Sequence, residues 1–435
     1  MRHPAQRLDD ASRREFLVHS AKAFLGVSCM SLLGGGLAHA TDPQAAAATP
    51  AIRRPTAKNC IYIYLAGGMS HLDTFDPKPG AETQGPTKAI KTKADGIQIS
   101  EYLPKLGEQM GHLAIVRGMN SNQGAHQPAE YYMRTSYAQR GTIRHPAMGA
   151  WLSYFNGRIN PTLPANVAIG GGSQHPGSGF LESRFAPLPL GNPESGLQHS
   201  ALPPGVTEER FEHRLALAQE LNQNFQKDYD QKQVRAYRDL YAEAVKLMSS
   251  KDLKAFDITQ EPANVRAAYG DETFGQGCLL ARRLIENDVR FVEVNLGGWD
   301  THDDNFDRVN QRCELLDQGL SALLADLSGR GLLEETMVAV ATEFGRSPRI
   351  NSNNGRDHYP KAFSCLLAGG GIKGGQVHGA TDDTGSTVVS GSVLVPDFNA
   401  TIGYGLGLPL DQVVTSPQGR PFTLADKGRP LTNLF

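Results

Sequence analysis

The chain has 435 residues, with 43 lysines and arginines against 45 aspartates and glutamates, a formal net charge of −2. That balance gives no electrostatic footprint for nucleic acid and no basic cluster for a membrane surface, so the expected partner is a small or neutral molecule. Five cysteines without any CxxC spacing argue against a zinc knuckle and against a dense disulfide framework.

The N-terminus carries Ser12-Arg13-Arg14-Glu15-Phe16-Leu17, then the moderately apolar stretch AKAFLGVSCMSLLGGGLAHA, which closes on the small-x-small site Ala38-His39-Ala40. Paired arginines before such a stretch match a twin-arginine export signal, expected to be cleaved after Ala40. Gly34, Gly35 and Gly36 interrupt the apolar run, which is barely long enough to span a bilayer. Export and cleavage are therefore expected over anchoring. They leave a periplasmic or secreted protein with no stable membrane span and the twin-arginine machinery as a transient partner. Residues 41–57 are small, proline-rich and aperiodic, as a disordered tether would be, and one domain is expected over 58–435.

From Asn59 the run NCIYIYLAGG is β-branched and aromatic and stops at paired glycines, the pattern of a buried strand. HLAIVRG at 112–118 and NVAIGGG at 166–172 repeat it. Residues 207–256 have apolar positions at three-to-four spacing with charges between, predicting two or more helices. TFGQGCLLARRLIEND at 273–288 predicts an amphipathic helix feeding the strand VRFVEVNL, and NFDRVNQRCELLDQGLSALLADLSGRG another helix with a glycine-rich end. TMVAVATEFG at 336–345 and FSCLLAGGG at 363–371 are further strands. Apolar strands alternating with amphipathic helices imply an α/β fold with a mostly parallel sheet, whose chemistry collects at the strands' C-terminal ends.

Those ends carry polar residues that folding alone does not require. After the first strand come Ser70, His71, Asp73 and Asp76; after VRFVEVNLGG come Trp299, Asp300, Thr301, His302, Asp303 and Asp304; TMVAVAT ends in Glu343 and Arg346; and a loop then offers Arg356, Asp357 and His358. Carboxylates with imidazoles are the donor set of a divalent cation such as zinc, manganese or magnesium. One or two such ions would polarise a phosphoryl-type ester. Asp303 and Asp304 are more simply read as caps of the next helix, and Glu343 has an alternative as an ion-pair partner of Arg346 or Arg349. His126 stands before Pro128 at an expected helix start, where an anion can bind. Tyr131, Tyr132 and Met133 are expected to pack that helix. The glycine-rich segments lack nucleotide-cradle patterns.

The segments SRREFL, LAGGMSHLDTFDPKP, AHQPAEYYMRTS, GGWDTHDDN, ATEFGRSPRINSNNGRDHYP and GGQVHGATDD together resemble the twin-arginine-exported bacterial proteins of the domain of unknown function 1501 family, distant relatives of alkaline phosphatases and sulfatases. The resemblance implies an alkaline-phosphatase-like three-layer α/β sandwich with helices flanking the sheet. It implies a metal site in which Asp300 and His302 resemble the first ligand pair, Glu343 stands where a later Asp-His pair would, His378 resembles the final His, Asp357 and His358 can substitute, and Ser70, His71 or Asp73 replaces the first-strand Asp. With the readings above, the candidates are Asp73, Asp300, His302, Asp357, His358 and His378 for the metal and Ser70, Glu343 and His126 for catalysis. The chain departs from the wider pattern in two places. The first strand ends in Ala66-Gly67-Gly68, not in a metal-binding Asp, and no cysteine begins the Cys-x-Pro-x-Arg sequence that sulfatases convert into a nucleophile. Ser70, Thr74 and Ser121 all lie near strand ends as alternatives, and a metal-activated water would remove the need for any of them. The expected activity is metal-dependent hydrolysis of a phosphate or sulfate ester on a small molecule or polysaccharide. The rival is a non-catalytic cell-envelope or carbohydrate-binding accessory protein on the same fold.

Overall fold

A computed structural model describes residues 56–435, apart from 172–173, 199, 201, 203 and 229–241. The expected export signal over 1–40 and the tether over 41–57, except Thr56 and Ala57, lie outside the described residues. So does part of the helical stretch 207–256, whose first helix is Glu208–Asp228.

The main sheet is built from β1 (Asn59–Leu65), β2 (Leu113–Asn120), β3 (Asn166–Ile169), β4 (Leu188–Leu190), β5 (Phe291–Leu296), β6 (Thr336–Ala341), β7 (Phe363–Ala368), β8 (Gln376–His378) and β9 (Val393–Leu394). Its order is β8-β2-β7-β6-β1-β5-β3-β4, with β9 beside the end of β2. Only β7 runs against the rest, antiparallel to both β2 and β6. β1 lies between β5 and β6, parallel to both, and all seven of its residues are buried. A strand covered on both faces has no use for alternation, which is why NCIYIYL reads as one apolar run.

Helices cover both faces. Ile61, Ile63 and Leu65 pack with Cys278 and Leu280 of α3 (Thr273–Glu286) and with Leu316 and Leu320 of α4 (Asn305–Gly329). Cys60, Tyr62 and Tyr64 point the other way. They join Met133 of α1 (His126–Thr135), Trp151 of α2 (Met148–Asn156) and Ile402 of α5 (Val395–Gly405). The expected three-layer arrangement of helix, mostly parallel sheet and helix is therefore present. Cys60, Cys278, Cys313 and Cys365 are free and buried, and burial pushes all four thiols up, so none is a nucleophile.

One expectation about helix ends is corrected. Asp304 does occupy the position before α4, but in a left-handed conformation (φ 46°) and with no capping bond from its side chain. Asp303 pairs with Arg308 at 3.1 Å. Asn305 turns inward, accepting from Thr301 at 2.6 Å and donating to Asp73 at 2.9 Å.

Candidate metal centre

Three neighbouring parallel strands finish in step, with Leu65 beside Leu296 and Tyr64 beside Ala341. The loops that follow therefore open on one edge of the sheet. β1 delivers Gly67 and Gly68, β5 delivers Asp300 and His302, and β6 delivers Thr342 and Glu343. Gly67 has φ +123°, and a Cβ there would stand 2.4 Å from the Asp300 backbone nitrogen, so only glycine lets the first two loops approach this closely. β2 leads into α1, whose first residue is His126. After β6 a hairpin pairs Gly345–Ile350 with Arg356–Tyr359, setting His358 opposite Arg346. The segment read from sequence as a loop is thus a strand that carries Asp357 and His358.

Asp300 is the focus. Its Oδ1 lies 3.1 Å from His302 Nε2, 3.3 Å from His126 Nε2 and 3.4 Å from His358 Nε2. Donor atoms of His126, Asp300 and His358 all lie within 4.8 Å of one another. His302 Nε2 and His358 Nε2 are 2.9 Å apart.

The second nitrogen of each ring fixes what the first can do. His126 Nδ1 meets Glu343 at 2.9 Å, His302 Nδ1 meets Asp357 at 3.1 Å, and His358 Nδ1 meets the Gly124 carbonyl at 2.9 Å. An ionised carboxylate or a carbonyl only accepts, so a proton on each Nδ1 satisfies these three bonds and leaves each Nε2 able to offer a lone pair beside Asp300. In that tautomer the Nε2 atoms of His126 and His358 and the Asp300 carboxylate share one cluster, His302 Nε2 joins it through Asp300 and His358, and the Nε2 of His126 is buried without a hydrogen-bond partner. Lone pairs at 2.9 Å repel unless a proton or a cation lies between them. Three imidazoles, each oriented by an acceptor behind it, with one carboxylate form the donor set of a zinc-like ion, so these residues fit the expected metal.

The surrounding shell holds that arrangement. Burial alone would raise the Asp300 carboxyl, but the Arg346 guanidinium, 2.5 Å away, with His126 and His302 holds it down to about 2. Arg346 is fully buried and also donates to Gly68, to Gly67 and to Arg356, all at backbone oxygens, which ties the first loop, Asp300 and the hairpin together. Glu343 is buried and held by the Gly67 N–H at 2.7 Å and by the Tyr64 hydroxyl at 3.1 Å. Its bond to His126 raises that imidazole, against the effect of burial. Burial lowers His358, and the bond from His302 lowers Asp357. Glu343 does not pair with Arg346 or Arg349; the histidine takes it.

Of the residues named from sequence, Asp300, His302, Asp357, His358, Glu343 and His126 come together. Three do not. Asp73 is fully buried and saturated: it accepts from Arg356 at 2.8 and 3.2 Å, Ser70 at 2.6 Å, Thr87 at 3.1 Å and Asn305 at 2.9 Å. With every lone pair engaged it is a structural anion, not a free ligand. Ser70 spends its hydroxyl on Asp73 and is 1% exposed, so it offers no nucleophile. His378 lies on β8 beside Val116, 3.3 Å from Asn433, and has no contact with the cluster. Tyr64 escaped the reading of the sequence, which named Arg346 and Gly67 but gave neither the role it takes here. Only the paired glycines after β1 hinted at the close approach.

Comparison with known proteins places residues 57–435 in the family described as "Protein of unknown function (DUF1501)". The chain belongs to this DUF1501 family. No curated protein sequence matches it. Among solved structures this DUF1501 chain is similar to the lipoteichoic acid synthase LtaP from Listeria monocytogenes, with 9% identity and a TM-score of 0.42 over 83% of this chain and 75% of that one. It is also similar to the phosphonate monoester hydrolase SpPMH from Silicibacter pomeroyi (11%, 0.39, 86% and 76%) and to the PsFucS1 sulfatase from Pseudoalteromonas sp. (12%, 0.37, 81% and 68%).

Proposed function

We propose that this DUF1501 protein is an exported, metal-dependent hydrolase of phosphate or sulfate esters. The observation that carries the reading is the gathering of three Nε2 atoms, from His126, His302 and His358, within 3.4 Å of the Asp300 carboxylate. His126, Asp300, His302 and His358 would hold the ion, and Asp357 would orient His302. When bound, the ion supplies Lewis-acid polarisation of the ester and charge stabilisation of the leaving oxygen.

The chain's own residues do the rest. Glu343, fixed by Gly67 and Tyr64, accepts from His126 Nδ1 and sets the direction of the ring. Arg346 keeps Asp300 ionised at neutral pH and fixes its position. The Phe344 ring, 5.0 Å from His126 and 4.6 Å from His358 between centroids, walls the imidazoles on one side and excludes water there. Glu130 sits near His126 and Glu343 with its carboxyl raised by burial and by Glu343, so it can hold or release a proton close to the site. The buried thiols, Ser70 and Thr74 are closed off, which leaves water or the part-exposed Ser121 as the nucleophile of this reading.

The test is metal analysis of the purified protein beside its Asp300→Ala and His302→Ala variants, followed by assays on phosphate and sulfate monoesters with added zinc, manganese or magnesium. About one ion per chain that is lost in both variants, together with turnover of one ester class, supports the reading. Equal metal content in all three proteins refutes it. A protein that binds the ion but turns over no ester with any metal would instead be an accessory protein on this fold.

A further inference from the structure

Alongside α1 lies a concavity of about 520 Å³, between residues of the stretch 122–145 and the segment 413–427. That volume falls within the range of small-ligand pockets. Its wall continues directly into the site: Asn122 and Gln123 line it, the next residue, Gly124, accepts from His358, and His126 follows two residues later. Tyr132 on α1 and Phe422 contribute partly exposed rings. Behind them Tyr137 stacks on His145, centroids 4.3 Å apart, and exchanges two hydrogen bonds with the Thr423 backbone, so the wall is rigid.

The pocket's charge is lopsided. Arg140 and Lys427 line it, both exposed and neither in a direct ion pair among the described residues; Asp426 is the one acid in the lining, near enough to both that they oppose the burial that raises its carboxyl. Ala425, Asp426 and Lys427 are three consecutive non-glycine residues in the left-handed region, at φ 59°, 43° and 64°. Such a run persists only where its surroundings impose it. Here Ala425 is buried and its carbonyl accepts from Gly428 at 2.8 Å.

We propose that this pocket binds an acidic sugar, the part of the substrate that carries the ester presented to the metal centre. Ring faces suit the apolar face of a sugar, the amides of Asn122 and Gln123 suit its hydroxyls, and Arg140 and Lys427, which outnumber Asp426, suit a carboxylate or a second ester group. The inference rests on the hydrolase reading only for what the sugar carries.

The experiment is calorimetric titration of the chelator-treated full chain with trigalacturonate, maltotriose and inorganic phosphate. Trigalacturonate should bind saturably without metal, about tenfold more tightly than maltotriose or phosphate. Arg140→Ala, Lys427→Ala and Phe422→Ala should each weaken it roughly five- to tenfold while leaving zinc binding intact. His302→Ala should lose zinc and keep the sugar. Equal binding of maltotriose, equal binding of phosphate alone, no saturable binding below about 10 mM, or indifference to all three pocket substitutions would overturn the proposal. None of these outcomes touches the metal reading, which the zinc titration judges separately.

Discussion

Asp73 offers the sharpest test, because its position in the sequence and its surroundings in the fold assign it different work. Asp73→Ala removes the carboxylate from a fully buried pair with Arg356, both side chains being 0% exposed. Breaking such a pair by deleting one partner costs about 3–5 kcal/mol, since the other charge stays in the core. Arg356 keeps bonds to the backbone oxygens of Ser347 at 3.1 Å, Pro348 at 2.5 Å and Thr83 at 2.8 Å, which favours the lower end, while the stranded Ser70, Thr87 and Asn305 donors push the other way. Urea unfolding should therefore lose about 3–5 kcal/mol of stability at unchanged slope, and zinc titration of the folded fraction should keep its stoichiometry and affinity. A variant with normal stability that has lost its metal would refute this reasoning and restore Asp73 as a ligand.

Glu343→Gln, measured by steady-state kinetics on whichever ester is turned over, should lower kcat by a factor of roughly 10²–10⁴, because the His126 tautomer is no longer fixed. Tyr64→Phe should act in the same direction and more weakly. Gly67→Ala should abolish tight zinc binding by calorimetry, since its Cβ would collide with the Asp300 backbone. Glu293 supplies a pH prediction: burial opposes its charge, yet Arg134 and His175 hold its carboxyl down to about 2. A depressed carboxylate stabilises the fold above its ordinary pKa, and that stability is lost as pH falls. Unfolding free energy should thus drop by about 3 kcal/mol between roughly pH 5 and pH 2, and Glu293→Gln should flatten that slope in acid urea titrations.

The strands were legible because burial on both faces forces continuous apolar runs, as in NCIYIYL and TMVAVA. Their order was not, since neighbours such as β1 and β6 are separated by most of the chain. The donors Asp300, His302, Asp357 and His358 announced themselves as acid–imidazole clusters near strand ends. Asp73 had the same appearance. What separates it from Asp300 is Arg356, far along the sequence, together with a cage of hydroxyl and amide donors that no local pattern displays. Glu343 was visible as a strand-end acid, but its tie to His126 comes from two parallel strands delivering their ends to one edge.

Apart from the neighbours Asp300 and His302, the donors meet only across long stretches of chain: His302 and His358 are 56 residues apart, and His126 is 217 residues from the Glu343 that orients it. A half-built molecule therefore presents at most the Asp300–His302 pair, and a cation held by the full set stabilises the finished form. Such an ion cannot seed the fold. Its uptake would certify that the sheet had closed in the right order, a quality check written into where the ligands sit along the chain.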